Sequence, residues 1–161
     1  MQKLPPKHVL RDEIVQMLLE TLTVLEKAQQ AAMEAATHEE AKPENDKDTR
    51  GLEQSYLARG QAKRVEELRT SLLELHSMPL RAFAEDQPIE LGALVFAEEN
   101  DEERVFFIAP YGGGTTLAKG AVQVVTPRSP LGDALLEKSA GDDCEVVLGG
   151  RTREFSITRV I

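Results

Sequence analysis

Apolar residues in the first half of the chain recur at helical spacing. Ile14, Leu18, Leu25, Ala28, Ala32 and Ala35 follow one another at four, seven, three, four and three steps, a heptad seam with Thr21 at the skipped position. Ala58, Val65, Leu68, Leu72 and Leu75 make a similar seam further on. Between residues 7 and 78 the helix breakers are Pro43, Gly51 and Gly60, and helix-forming Glu, Lys, Leu, Ala and Gln run throughout. Two such stripes, separated by a polar stretch from His38 to Arg50, predict two helices that fold back into an antiparallel α-helical coiled-coil hairpin. The seams are leucine-rich near Leu18, Leu25, Leu72 and Leu75 and alanine-rich near Ala28, Ala32, Ala35 and Ala58, so the helices are expected to approach more closely towards the turn. A helix of about 30 residues spans ~45 Å, more than the remaining residues can cover, so part of the hairpin is expected to project.

From about Ile89 the pattern changes to short alternating strands and glycine turns. Val105 with Phe107, Val122 with Val124, and Cys144 with Val146 and Leu148 read as one-sided strands. Gly149-Gly150 between EVVL and REFSI reads as a hairpin turn. One helix lies among the strands: Ser129 suits the N-cap, Pro130 the first helical position, Leu131, Leu135 and Leu136 share an apolar face, and Gly141 ends it. The expected fold class is therefore α+β. Residues 1–78 form a helical arm with an acidic tip near 39–48, 79–88 a linker marked by Pro79 and Pro88, and 89–161 a small antiparallel sheet domain with one helix.

Composition narrows the function classes. Aromatic residues make up 4%, with no Trp, so any core is small and mainly aliphatic. A formal net charge of -9 argues against independent affinity for duplex DNA, which needs Lys and Arg to neutralise phosphates. The single Cys144, the absence of zinc-ligand spacing and a start without an apolar signal core point to a reducing, cytoplasmic setting, and no apolar run is long enough to span a membrane.

The run VVTPRSPLGDALLEKSAGDDCEVVLGGRTREFSITRVI resembles the end of the Gre family of transcription factors. Ser129, Pro130, Leu131, Ala134, Leu135, Leu136, Lys138, Gly141, Asp142, Phe155 and Ile157 carry the likeness. KPENDKDTRGLEQSYLARG resembles the tip of the Gre arm, where a Glu-Asn pair, here Glu44-Asn45, opens the second helix. The resemblance implies an FKBP-like C-terminal domain that binds RNA polymerase through Ser129 and Pro130 at the rim of its secondary channel. It further implies an arm that enters the channel, meets nascent RNA in the elongation complex and stimulates cleavage of backtracked RNA. The chain would then not be an enzyme on its own. The family carries an Asp three positions before the Glu of that pair, and Ala41 stands there here, which favours a second reading: a channel-binding regulator of initiation, pausing or elongation without cleavage.

Five carboxylates, Glu39, Glu40, Glu44, Asp46 and Asp48, lie within ten residues at the expected turn. Mg²⁺ takes oxygen ligands and needs few protein carboxylates when phosphates complete the site. Glu44, with Glu40 and Asp46 beside it, is thus the candidate catalytic tip, and Glu44 and Glu40 the candidate Mg²⁺ ligands, effective only inside the polymerase complex. The plain alternative is a solvated acidic loop with favourable first-turn charges. Arg59, Lys63 and Arg64 could touch RNA or polymerase, or decorate a solvated helix, where Lys63 and Glu67 suit an i,i+4 pair. Gly112-Gly113-Gly114 lacks the Lys-Ser/Thr ending of a phosphate loop and reads as a turn, Cys144 reads as a core residue, and His8, His38 and His76 are dispersed. A third function, peptidyl-prolyl isomerase, would need an aromatic pocket for which the C-terminal half has few rings.

Overall fold

The computed structural model describes residues 3–40 and 47–161. Contacts divide the chain into two compact units, Gln16–Leu73 and Met1–Val15 with Glu74–Ile161.

Helices α1 (Lys7–Glu40) and α2 (Lys47–Ser77) pair in a hairpin. Arg69 of α2 bridges them, its guanidinium donating across to Glu26 of α1 at 2.9 Å and to Glu66 of its own helix at 2.7 Å. Leu18, Leu22, Val65 and Leu68 are buried between them, and Leu25, Gln29 and Leu72 are half-buried. The second expected seam is therefore present over Val65, Leu68 and Leu72, but the first is rotated. Thr21 is exposed and turns its hydroxyl back to the Met17 carbonyl at 3.1 Å, while Ala28, Ala32, Ala35 and Ala58 are also exposed. The stripe on α1 steps from Leu18 by four to Leu22, then by three to Leu25 and four to Gln29. One leucine side chain removes more apolar area from water than a threonine methyl, so Leu22 takes the inner face and the alanines, one position out of phase, turn to solvent.

The other unit holds a six-stranded sheet in the order β3-β4-β2-β1-β6-β5. Its strands are β1 (Leu94–Glu99), β2 (Glu102–Ile108), β3 (Thr116–Leu117), β4 (Val122–Val125), β5 (Asp143–Leu148) and β6 (Arg151–Val160), with one short helix, α3 (Pro130–Leu135). Two tight hairpins have both turn residues at positive φ, Asn100-Asp101 between β1 and β2 and Gly149-Gly150 between β5 and β6, the twist that two-residue turns require. One ladder departs from the antiparallel pattern expected: β2 and β4 run parallel, Phe106 opposite Gln123 and Ile108 opposite Val125. Residues 109–121 make this possible by carrying the chain back across the sheet, with β3 laid antiparallel on the outer edge of β4.

The strands nearest the middle of the sheet are buried on both faces. Val95, Ala97, Phe106, Ile108, Val125, Cys144, Val146, Phe155 and Ile157 form one core with Leu131 and Leu135 of α3, and Phe106 meets Phe155 edge-on at 5.6 Å. Leu94, Phe96, Phe107, Val122 and Val124 point the other way and are buried too, as are Leu10, Ile14, Leu75 and Met78 of the same unit. Two-sided cover explains why LVFA and FFIA read as apolar runs whereas β5 and β6 alternate. Phe83, in the segment expected to be a linker, also enters this core. No helix among the described residues is long and apolar enough to cross a membrane.

At the far end of β1, Glu99 is buried with an ionised partner. Arg153 of β6 grips both its oxygens, the Nη2 contact at 2.5 Å, and Arg104 of β2 stands 3.5 Å away. The hydrogen bonds from Arg153 hold the Glu99 carboxyl below its ordinary value, burial opposing them. A lowered carboxyl contributes stability that is complete above the unfolded value of 4.5 and is lost as pH falls through the folded one. Glu99→Gln should thus cost about 1 kcal/mol at neutral pH. Denaturant unfolding at stepped pH should show the gap from wild type closing below 4.5; a gap independent of pH would contradict the ionic role.

Candidate partner-binding corner and helical tip

The Ser129–Pro130 corner is built around one carbonyl. The oxygen of Thr126 accepts from the Ser129 backbone N–H at 3.1 Å and from the Ser129 hydroxyl at 2.8 Å. The same hydroxyl oxygen accepts the Gly132 N–H at 3.0 Å, capping α3 as expected of Ser129, with Pro130 in the first turn where a missing N–H costs nothing. Space for this arrangement comes from glycine. A Cβ on residue 132 would stand 1.9 Å from the Thr126 oxygen, and one on Gly113 would stand 3.1 Å from the Thr126 side chain. Thr126 thus has a glycine close on either side, and of the glycine run 112–114 it is Gly113 that lies against the corner. Arg128 and Pro130, next to the anchored residues, are exposed.

The other motif residues divide by position. Leu131 and Leu135 are core, with Ala134 and Leu136 packed at its margin. Ile89 donates its N–H to the Lys138 carbonyl at 2.7 Å and accepts from the Glu137 N–H at 3.2 Å, tying the residues after α3 to the segment that precedes β1. Gly141, at φ +93°, donates to Ile157, and Ile157 donates to Asp142, whose carboxylate accepts the Ser139 N–H at 2.8 Å. Most of the motif therefore fixes how α3 is held against the sheet, while Pro130 at the corner and Gly141 and Asp142 beyond α3 are exposed.

The tip residues fall elsewhere. Glu44 and Asp46, together with Ala41, lie outside the described residues; Glu40 ends α1, and its side chain, like those of Glu39, Asp48 and His38, is also outside them. Among the described residues no cluster of His, Cys, Asp and Glu could hold a metal ion. Arg59, Lys63 and Arg64 are exposed on α2, and Glu67 pairs with Arg64 at 3.8 Å rather than with Lys63. Cys144 is buried, as expected of a core residue, and that burial pushes its thiol above the ordinary value. His8 and His76 are exposed.

A cavity of about 450 Å³ opens between Lys3, Leu4, Pro5, Val9 and Glu13 on one side and Ala118, Lys119 and Ala121 on the other. The Glu13 carboxylate accepts the Ala118 N–H at 3.1 Å and so secures a turn in which Ala118 and Lys119 both take positive φ. No aromatic ring lines this cavity. Sequence reasoning missed Thr126, Gly113 and Gly132 as parts of the corner. The signal available was a glycine directly after Ser-Pro-Leu, at a helical position where glycine is otherwise unfavourable.

No protein-family model matches the chain, and no curated protein matches it. Solved structures similar to it include Thermus aquaticus Gfh1, at 20% identity over 90% of this chain and 92% of that one, TM-score 0.41. GreA factor homolog 1 (Gfh1) of Thermus thermophilus is similar at 24% identity over 91% and 94%, TM-score 0.40. The prokaryotic transcription elongation factor GreA/GreB from Nitrosomonas europaea is similar at 18% identity over 58% and 77%, TM-score 0.37.

The geometry of the corner sets an order of effects. Ser129→Ala removes a cap and should cost about 1 kcal/mol, whereas Gly132→Ala drives a methyl into the Thr126 carbonyl and should cost about 2 kcal/mol or more. Thermal unfolding of the two variants should rank them so; equal stability of Gly132→Ala and wild type would show that the close approach to Thr126 does not constrain the corner.

Proposed function

We propose that the chain is a Gre-type transcription factor that binds RNA polymerase through the Ser129–Pro130 corner and offers the turn of its helix pair to the polymerase's secondary channel. The observation that carries this reading is the corner: a family-like motif whose buried members anchor α3 and whose first residue, Ser129, is tied to the Thr126 carbonyl, with exposed Pro130 and Arg128 on either side of it. A pre-set surface binds a partner without first ordering itself.

The helix pair supports the same reading. Its unit buries Leu18, Leu22, Val65 and Leu68, while Val24, Met33, Tyr56 and Leu57 stay 66%, 63%, 68% and 66% exposed. Apolar side chains left uncovered along a helix pair suit one that is received by a larger partner. At its turn, Glu44 with Glu40 and Asp46 supplies carboxylate oxygens of the type Mg²⁺ accepts, in a site completed by the polymerase and the nascent RNA. On this reading the chain stimulates cleavage of backtracked RNA and has no activity alone.

Ala41 supports a second reading, in which the chain occupies the channel and regulates transcription without cleavage. The isomerase reading loses ground to one feature of the sheet unit: Phe106, Phe107 and Phe155 are buried in packing, and the cavity beside Ala118 has no ring to receive a proline.

The deciding assay is RNA cleavage in a backtracked elongation complex. Wild type should raise the rate, and Glu44→Ala should return it to the polymerase's own rate while still binding, with Glu39→Ala affecting it less. A Glu44→Ala variant with full stimulation would remove the tip assignment, and a wild type that binds without raising the rate would establish the regulatory reading instead.

A further inference from the structure

The two outer strands end the sheet differently. β3 is two residues long, Thr116–Leu117, and the chain turns away at Ala118 and Lys119, so that edge offers little backbone to a partner. β5 closes the other side with six residues, Asp143–Leu148, in unbroken register with β6 from Asp143 opposite Ser156 to Leu148 opposite Arg151. It contains no proline, lysine or bulge, the usual guards of an edge.

The hairpin turn fixes which backbone groups are open. Leu148 and Arg151 flank the two-residue Gly149-Gly150 turn and form the hydrogen-bonded pair next to it. Alternation then directs the N–H and C=O groups of Cys144, Val146 and Leu148 to β6 and those of Asp143, Glu145 and Val147 outward. Among the described residues no hydrogen bond reaches these outward groups. The same three residues carry exposed side chains, Val147 at 62%, whereas Cys144 and Val146 are buried in the core.

Charge decides what such an edge accepts. Glu145 stands directly opposite Glu154, and Asp143 lies opposite Ser156, whose hydroxyl donates to its carboxylate at 2.7 Å. Of the cations on β6, Arg151 and Arg153 share the other face with Leu148 and Val146, Arg153 is bound to Glu99, and Arg159 lies over the Phe96 ring at 3.9 Å. A second copy laid antiparallel on β5 would meet these carboxylates with its own, which disfavours self-pairing. A strand with Lys or Arg beside Glu145 and Asp143 offsets the repulsion between Glu145 and Glu154, and an apolar residue beside Val147 covers the exposed valine. We propose that β5 is a docking edge for an extended basic segment of a partner protein, added antiparallel to the sheet and carrying the pattern apolar-x-basic-x-basic. Backbone hydrogen bonds to Asp143, Glu145 and Val147 hold the segment, and the carboxylates select its charge.

The test is amide hydrogen exchange, read residue by residue by NMR on the full chain with the peptide acetyl-Thr-Val-Thr-Lys-Thr-Lys-Thr-amide. In the free protein the Glu145 and Val147 amides should exchange fast and those of Cys144 and Val146 slowly. With the peptide at about ten times its dissociation constant, exchange at Glu145 and Val147 should slow about tenfold. A peptide with Glu in place of both Lys, or one with N-methyl groups on its Val and both Lys, should bind about tenfold more weakly or worse. Glu145→Lys combined with Glu154→Lys, both at exposed positions, should reverse the preference in favour of the Glu peptide. Unchanged exchange at Glu145 and Val147 overturns the proposal. Equal binding of the N-methylated peptide also overturns it, by reducing the edge to an acidic patch, and so does exchange at these amides that slows with rising concentration of the free protein, which makes the occupant a second copy.

Discussion

The Thr126 carbonyl is the constraint on which the arrangement of the C-terminal unit depends. A carbonyl oxygen in a partly buried loop must be satisfied, and here it accepts twice from Ser129 while residue 132 leaves it room to approach. Those contacts set where α3 begins. The start of α3 in turn sets where Leu131 and Leu135 meet Phe106 and Phe155, and the end of α3 is returned to the sheet through Ile89, Gly141 and Asp142. An exposed corner and a core under a helix are, in this protein, two sides of one set of hydrogen bonds.

The helix pair follows a different economy. Its inner face holds a short leucine and valine stripe, and beyond Leu25 and Gln29 most of the described residues are exposed. Arg69, bridging Glu26 and Glu66, adds little energy, since an exposed ion pair is worth about 0–1 kcal/mol. A unit with so few buried side chains is short of a core of its own, and this is the physical reason to look for its role in association with a larger partner.

Much of this was legible in the sequence, and the exceptions have causes. Period gave the two helices and the β5–β6 hairpin, and the cap at Ser129 was readable from residue type alone. The seam on α1 was misplaced because Thr21 and Leu22 fit neighbouring heptad phases, and only burial decides between them. The parallel β2–β4 ladder was hidden because strand pairing is a long-range property that alternation within a strand does not encode. Thr126 was missed because its importance lies in a backbone oxygen, which has no signature in residue type, and in two glycines, Gly113 read as part of an ordinary turn and Gly132 not singled out within α3. Glu99 escaped notice because its partners, Arg104 and Arg153, come from two other strands. The assignment of the tip acids rests on residue pattern and family resemblance, and Glu44 and Asp46 lie outside the described residues.

The central claim is that the Ser129–Pro130 corner is a surface for RNA polymerase, and equilibrium binding of the full chain to core polymerase tests it most directly. The account predicts measurable affinity for wild type and a loss of about tenfold or more, ~1.4 kcal/mol, for Arg128→Glu combined with Pro130→Ala at unchanged thermal stability. An affinity equal to wild type in that stable variant, or no binding by wild type, would contradict it.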